Sequence, residues 1–204
     1  MESLNIFIKA VFIDNMIFAY FLGMCSYIAV SRSVKTAMGL GVAVAFVMAA
    51  TVPLNYILSE YIFKAGALGW LSPSLAPVNL DFLSFIVFIA VIASFTQLVE
   101  MAIEKYMPTL YHQLGIFLPL IAVNCAIMGG SLFLEERQFA NIGQATAFGL
   151  GSGAGWWLAI VMMAAIREKL SYSRVPAALR GAGITFIITG LMGIAFMTFL
   201  GIHL

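Results

Sequence analysis

Cys25 and Cys125 are the residues of this chain best suited to chemistry, and they are its only cysteines. A thiol among apolar residues can be inert packing. Two of them can close a disulfide if their Cα atoms come within about 4.4–6.8 Å. As thiolates they bind soft metals: zinc, copper(I) or an iron–sulfur cluster. A [2Fe–2S] centre commonly takes four Cys, and one copy of this chain supplies two. Met24 is a weak extra donor, and His112 lies far along in a loop. A cluster held here therefore needs two thiolates from a second polypeptide. Neither His112 nor His203 falls in the cysteine motifs, so no Ser/His/Asp or Cys/His nucleophile is assembled.

Carboxylates in or beside apolar segments are the second chemical resource, since charge inside a membrane marks function by default. Asp14, followed by Asn15 and then the apolar run to Cys25, is the stronger candidate for coupling to an ion. Glu100 and Glu104 stand one helical turn apart, near Gln97. They could line an ion path or mark the helix end beside Lys105. Gly149-Leu150-Gly151-Ser152-Gly153-Ala154 spells a dinucleotide fingerprint. No strand precedes it and it sits inside an apolar run, so close helix packing is the expected role.

The elements that must position these groups follow from composition. Of 204 residues, 63% are hydrophobic and 9% charged, whereas a soluble domain runs near one quarter charged. Ten Lys+Arg against nine Asp+Glu leave a net charge of +1, which gives no basic field for nucleic acid. Two cysteines cannot make a disulfide scaffold, and the apolar content excludes disorder. The chain reads as an integral membrane protein in contact with lipid.

Charge-free runs occupy residues 15–31, 36–59, 82–99, 106–134, 138–166 and 181–204. Each can cross a bilayer once, at about 20 residues per helix. The expected fold is all-α, with six transmembrane helices. Residues 65–80 carry Gly66, Gly69, Pro73 and Pro77 and read as an interfacial loop, with Trp70 at headgroup depth. Glu2, Lys9 and Asp14 argue against a cleaved signal peptide. Arg32, Lys35, Lys105, Arg167, Lys169, Arg174 and Arg180 fall on one side, and Lys9, Lys64 and Arg137 on the other. This asymmetry predicts that both termini are periplasmic.

The chain also repeats itself. Leu22-Gly23-Met24-Cys25-Ser26 aligns with Ala122-Val123-Asn124-Cys125-Ala126, and Ser31 with Ser131. Gly39-Leu40-Gly41 aligns with Gly149-Leu150-Gly151. Three spans per half make an inverted repeat, about residues 1–105 and 106–204, within one membrane domain. The first span of each half is the irregular one. Asp14-Asn15 precedes the first, and Pro119 and Gly129-Gly130 flank Cys125 in the fourth. Interrupted spans at matching positions point to a binding site. Apolar Phe21, Leu22, Leu120 and Val123 are expected to surround it, with small Gly23, Ser26 and Ala126 admitting a partner backbone.

Further residues carry a family resemblance. Phe21-Leu22-Gly23-Met24-Cys25, Leu114-Gly115-Ile116-Phe117-Leu118-Pro119 and Val123-Asn124-Cys125-Ala126-Ile127-Met128-Gly129-Gly130 are similar to motifs of the E-type subunits of sodium-translocating NADH:quinone oxidoreductases. So are Ile166-Arg167-Glu168-Lys169-Leu170 and Gly181-x-Gly183-Ile184-Thr185. The related A-type subunits of Rnf electron-transport complexes share the Leu-Gly-x-Cys and Asn-Cys-Ala elements. The resemblance implies an electron-transfer component of a bacterial inner membrane, paired with a homologous D-type subunit. Between the two lies a [2Fe–2S] cluster, held by Cys25 and Cys125 here and by two cysteines of the partner. It further implies flavins, NADH and ubiquinone in the other components (types A, B, C and F), with sodium pumped by the whole and no catalysis by this chain alone. A small inverted-repeat secondary transporter is the rival reading, as interrupted helices suit it equally. A structural anchor with inert thiols is the third.

Overall fold

Inside a bilayer every backbone amide and carbonyl needs a partner within the protein, so long apolar stretches must become helices. The computed structural model describes residues 2–63, 81–106, 108, 111, 119–176 and 179–201. In chain order they form α1 (Glu2–Phe12), α2 (Met24–Val30), α3 (Val34–Leu58), α4 (Asp81–Tyr106), α5 (Pro119–Ala122), α6 (Cys125–Arg137), α7 (Ile142–Leu170) and α8 (Ala182–Met197). A π-turn at Ser59–Phe63 extends α3, and a 3₁₀ turn at Thr198–Gly201 follows α8. The described residues contain no strand.

Four helical stretches are long and apolar enough to cross a membrane: Val34–Tyr61, Leu83–Tyr106, Pro119–Arg137 and Ile142–Leu170. They correspond to the charge-free runs 36–59, 82–99, 106–134 and 138–166. All four run past their charge-free run into charged residues, taking in Lys35, Glu100, Glu104, Glu135, Glu136, Arg137, Arg167 and Lys169 among others. This is natural where a helix end leaves hydrocarbon for headgroups. The final run yields the 16-residue α8.

The first run departs from expectation. Residues 15–31 are not one helix: only Met24–Val30 is helical, after a looped turn. An 11-residue helix, α1, lies before it instead. Counting charges hides α1 because Glu2 and Lys9 sit at its ends. Its apolar face is real and rests on α7.

α7 is the axis of the packing. A Cβ at Gly149 would meet Val52, and one at Gly153 would lie 2.8 Å from the Cα of Ala45, so these glycines seat α3. Gly151 and Gly155 do the same for α1, against Phe7, Ala10 and Val11. The fingerprint-like glycine run is thus a two-sided packing seam, as its place in an apolar span predicts. Phe148, Trp156, Ile160 and Met163 of α7 join Leu40, Val44 and Met48 of α3 in the buried core. The outside is apolar too. Phe85, Ile86 and Leu98 of α4 and Ile187, Leu191 and Ile194 of α8 are exposed, which suits a chain whose solvent is lipid. Residues 65–80, His112, residues 114–118 and His203 lie outside the described residues.

Candidate functional site

Each cysteine heads a helix that begins directly after a break in the chain. Cys25 is the second residue of α2, and Cys125 is the first of α6. Both thiols are free and exposed.

The first break is long. After α1, Asn15, wholly buried, replaces the missing helical bonds. Its Nδ2 donates to the carbonyls of Val11 (3.0 Å) and Gly155 (2.9 Å), and its Oδ1 accepts from the amide of Ile17 at 3.0 Å. The turn closes with the Leu22 amide donating to the Met16 carbonyl at 2.8 Å. Phe21 and Gly23 both hold positive φ, at 56° and 80°. The left-handed region disfavours a side chain such as Phe, so such a backbone persists only where the surroundings hold it.

The second break is short. Pro119 is the first described residue of α5, which stops at Ala122. Asn124 then adopts an extended backbone and caps α6, its Oδ1 accepting from the Ala126 amide at 3.0 Å. Among the described residues, the irregularity expected in the segment around Pro119 lies at Val123-Asn124.

The two breaks touch. Asn124 Nδ2 donates to Ser26 Oγ at 3.3 Å, and Ser26 Oγ donates to the Gly23 carbonyl at 3.2 Å. A Cβ on Gly23 would lie 2.5 Å from Trp156 Nε1, 2.8 Å from Asn124 Oδ1 and 3.1 Å from Ala126 Cβ. Gly23, Ser26 and Ala126 therefore serve close approach between the two halves of this chain, not the approach of a partner backbone. Trp156 of α7 underlies the contact, fully buried, and its Nε1 has no hydrogen-bond partner among the described residues. Around the thiols the surface is apolar: Phe21 is 60% and Val123 71% exposed. Cys125 also lines a cavity of about 570 Å³ together with Leu22, Met128 and, from α4, Ile89 and Ile92.

Sequence comparison decides the kinship. Residues 3–203 match the family described as Rnf-Nqr subunit, membrane protein. The chain belongs to the Rnf-Nqr family. It is 54% identical over 205 residues to the E subunit of the Na(+)-translocating NADH-quinone reductase of Maridesulfovibrio salexigens, covering all of both chains. It is 53% identical over 211 residues to the protein of the same name from Rhodopirellula baltica, covering 100% of this chain and 99% of the other. With that of Idiomarina loihiensis it shares 54% over 201 residues, 98% of each. The resemblance to the E-type subunits, carried by the cysteine motifs, is borne out.

Of the other sequence-predicted residues of this Rnf-Nqr chain, Asp14 stands at the start of the first break and Glu100 and Glu104 on α4. Asp14 accepts from Arg137 Nη1 at 2.8 Å, and Arg137 Nη2 donates to Tyr20 Oη at 3.0 Å. The same guanidinium stacks over Phe133 and Phe148. Arg137 ends the helix that Cys125 begins, so this ion pair is about 18 Å along α6 from the cysteine, at 1.5 Å per residue. Glu100 and Glu104 lie toward the C-terminal end of α4, Glu104 exposed, with no side-chain partner among the described residues. The structure does not gather the three carboxylates into one site. Among the described residues, no group of three or more His, Cys, Asp or Glu is placed to hold a metal.

Sequence reasoning missed Arg137 as the partner of Asp14, and Trp156 beneath Gly23. Asn124 as a helix cap was readable, since Asn directly before an apolar helix is a start signal.

Proposed function

We propose that this chain is the electron-transfer membrane subunit of a sodium-translocating NADH:quinone reductase, and that Cys25 and Cys125 hold half of a [2Fe–2S] cluster shared with a homologous partner of the D type. The observation that carries the reading is the pairing of the breaks. The only two cysteines sit at the heads of two helices, with Asn124 before one bonded to Ser26 in the first turn of the other, and both thiols are exposed. An inert core thiol has no need of that exposure. The donor set fits half a cage: two soft sulfurs, with no His, Asp or Glu grouped with them as a third ligand among the described residues of the same chain. When bound, such a cluster supplies one-electron transfer through an apolar layer.

The chain's own residues do the rest. Gly23 and Asn124 fix the backbone so that each cysteine leaves its loop at a helix start. The N-terminal amides of α6 present the positive end of a 13-residue helix, which favours an anionic group against it. Exposed Phe21 and Val123 give a partner an apolar surface that excludes water, and Trp156 forms the floor.

The same reading takes the two halves as inverted repeats with six crossings, α1 and α2 together making the first. Both termini are then periplasmic, in a bacterial inner membrane. What supports it is that a cysteine-headed helix follows a break at matching places in both halves. The other components (types A, B, C and F) would contribute flavins, NADH and ubiquinone.

The test is iron and acid-labile sulfide in the co-purified pair of homologous membrane subunits, with its visible absorbance. About two irons per pair, the content of one [2Fe–2S] centre, and loss of the bands in Cys25→Ala are expected. A colourless, iron-free pair that is otherwise intact refutes the assignment.

A further inference from the structure

The C-terminal end of α7 and the start of α8 line a cavity of about 390 Å³. Arg167 and Arg180 line it with Ser171 and Ser173, and Leu170 and Ile184 supply an apolar wall. No carboxylate of the described residues lines it. Arg167 uses Nη1 for the Ile28 carbonyl (2.9 Å) and Ser31 Oγ (2.7 Å). Its remaining N–H groups are uncommitted, since a guanidinium carries five. Arg180 has no hydrogen-bond or ion-pair partner among the described residues. Two cations converge on one cavity, and nothing within the described residues neutralises them.

The cavity continues into hydrocarbon. Ile184, Ile187, Leu191 and Ile194 recur at three- and four-residue spacing, so they form one stripe along α8. Ile187, Leu191 and Ile194 are 47%, 62% and 65% exposed. The stripe runs about 15 Å from the cavity, at 1.5 Å per residue. A paired guanidinium site with an apolar track leading from it matches an amphiphile with an anionic head. Arginine forks recognise phosphate geometry, and basic pockets between membrane helices on the cytoplasmic side take anionic lipid heads.

We propose that this cavity binds the phosphate of an anionic phospholipid, with Arg167 and Arg180 on the head and the α8 stripe along an acyl chain. The site is independent of any cluster at the cysteines and of the redox reading. Ser171 and Ser173 hydroxyls, which donate to the Glu168 and Leu170 carbonyls, keep their oxygens free to accept from a glycerol headgroup.

The test is native mass spectrometry of the detergent-purified complex containing the full chain, delipidated and then titrated with phosphatidylglycerol. Parallel titrations use phosphatidylcholine and inorganic phosphate. Phosphatidylglycerol should be retained over phosphatidylcholine, and Arg180→Gln should weaken it about tenfold, the loss expected for one charge-assisted hydrogen bond. Arg180 holds no other group among the described residues, so this variant keeps the fold. Arg167→Lys is the second variant and should weaken retention while preserving the bond to Ile28. Equal retention of both lipids, or an unchanged Arg180→Gln, overturns the proposal. Displacement by millimolar phosphate overturns the lipid assignment in favour of a soluble anion. If lipid binds only after a cytoplasmic-side protein of the complex is stripped away, the occupant is that protein and the proposal also fails.

Discussion

Replacing Gly23 with alanine should disrupt the meeting of the two breaks more than any other single methyl. Two effects add. At φ 80°, a Cβ costs about 1–2 kcal/mol in the left-handed region. That Cβ would also lie 2.5 Å from Trp156 Nε1 and 2.8 Å from Asn124 Oδ1, inside any real contact distance. Neither neighbour yields easily: Trp156 is wholly buried, and Asn124 is held as the cap of α6. Overpacking of this kind costs about 1–3 kcal/mol, so the sum is about 2–5 kcal/mol. At about 2–4 °C per kcal/mol for a chain of this size, Tm should fall by about 4–20 °C. The assay is thermal unfolding of the purified pair of membrane subunits beside Gly190→Ala, where a Cβ meets nothing within 4 Å. That control should be neutral or slightly stabilising, because alanine is the better helix former. A Gly23→Ala variant as stable as the control refutes the close contact between the breaks.

Asp14→Asn should lower stability by about 1.5–3 kcal/mol, as for a lost charge-assisted hydrogen bond, because it leaves the half-buried Arg137 without its anion; unfolding with Asp14→Asn/Arg137→Gln as the double variant reads the coupling. Sodium-dependent transport by the Asp14→Asn complex decides the separate question of ion coupling, and unchanged sodium dependence leaves Asp14 as a clamp alone. Asn124→Ala should cost about 1–2 kcal/mol from the lost cap and the lost bond to Ser26, seen as a lower Tm and faster maleimide labelling of Cys125.

Helices were legible wherever an apolar run carried no charge and no interruption, as in α3, α4 and α7. α1 was not, because Glu2 and Lys9 break the run, while the glycines that let its backbone approach lie some 140 residues away on α7. The breaks were half legible. Asp14-Asn15 and Pro119 directed attention to the right segments, and within the second it is Asn124 that sets the start of α6. The Asp14–Arg137 pair joins residues 123 apart in sequence, and no local pattern announces such a contact. Glu100 and Glu104 share a face, as their spacing predicts, yet shared spacing alone brought no cation or third ligand to them among the described residues.

The distribution of buried polar side chains says what the breaks are for. A chain needing only to cross the bilayer would run α5 and α6 through as one helix, satisfying every amide internally. Instead it interrupts that helix and spends Asn124 on the cap, and it interrupts the first segment and spends Asn15 on four backbone contacts. Ser26 then ties one interruption to the other. Unsatisfied backbone groups in an apolar medium cost several kcal/mol each, so this arrangement is stable only because buried amide side chains replace the missing bonds. The backbone groups are satisfied internally while the thiols beside them remain exposed, where the two breaks meet. A simple kink would leave its cysteine packed inward, whereas here Ser26, Asn124 and Ala126 are packed and the thiols beside them are not, which is the contrast the proposed role rests on.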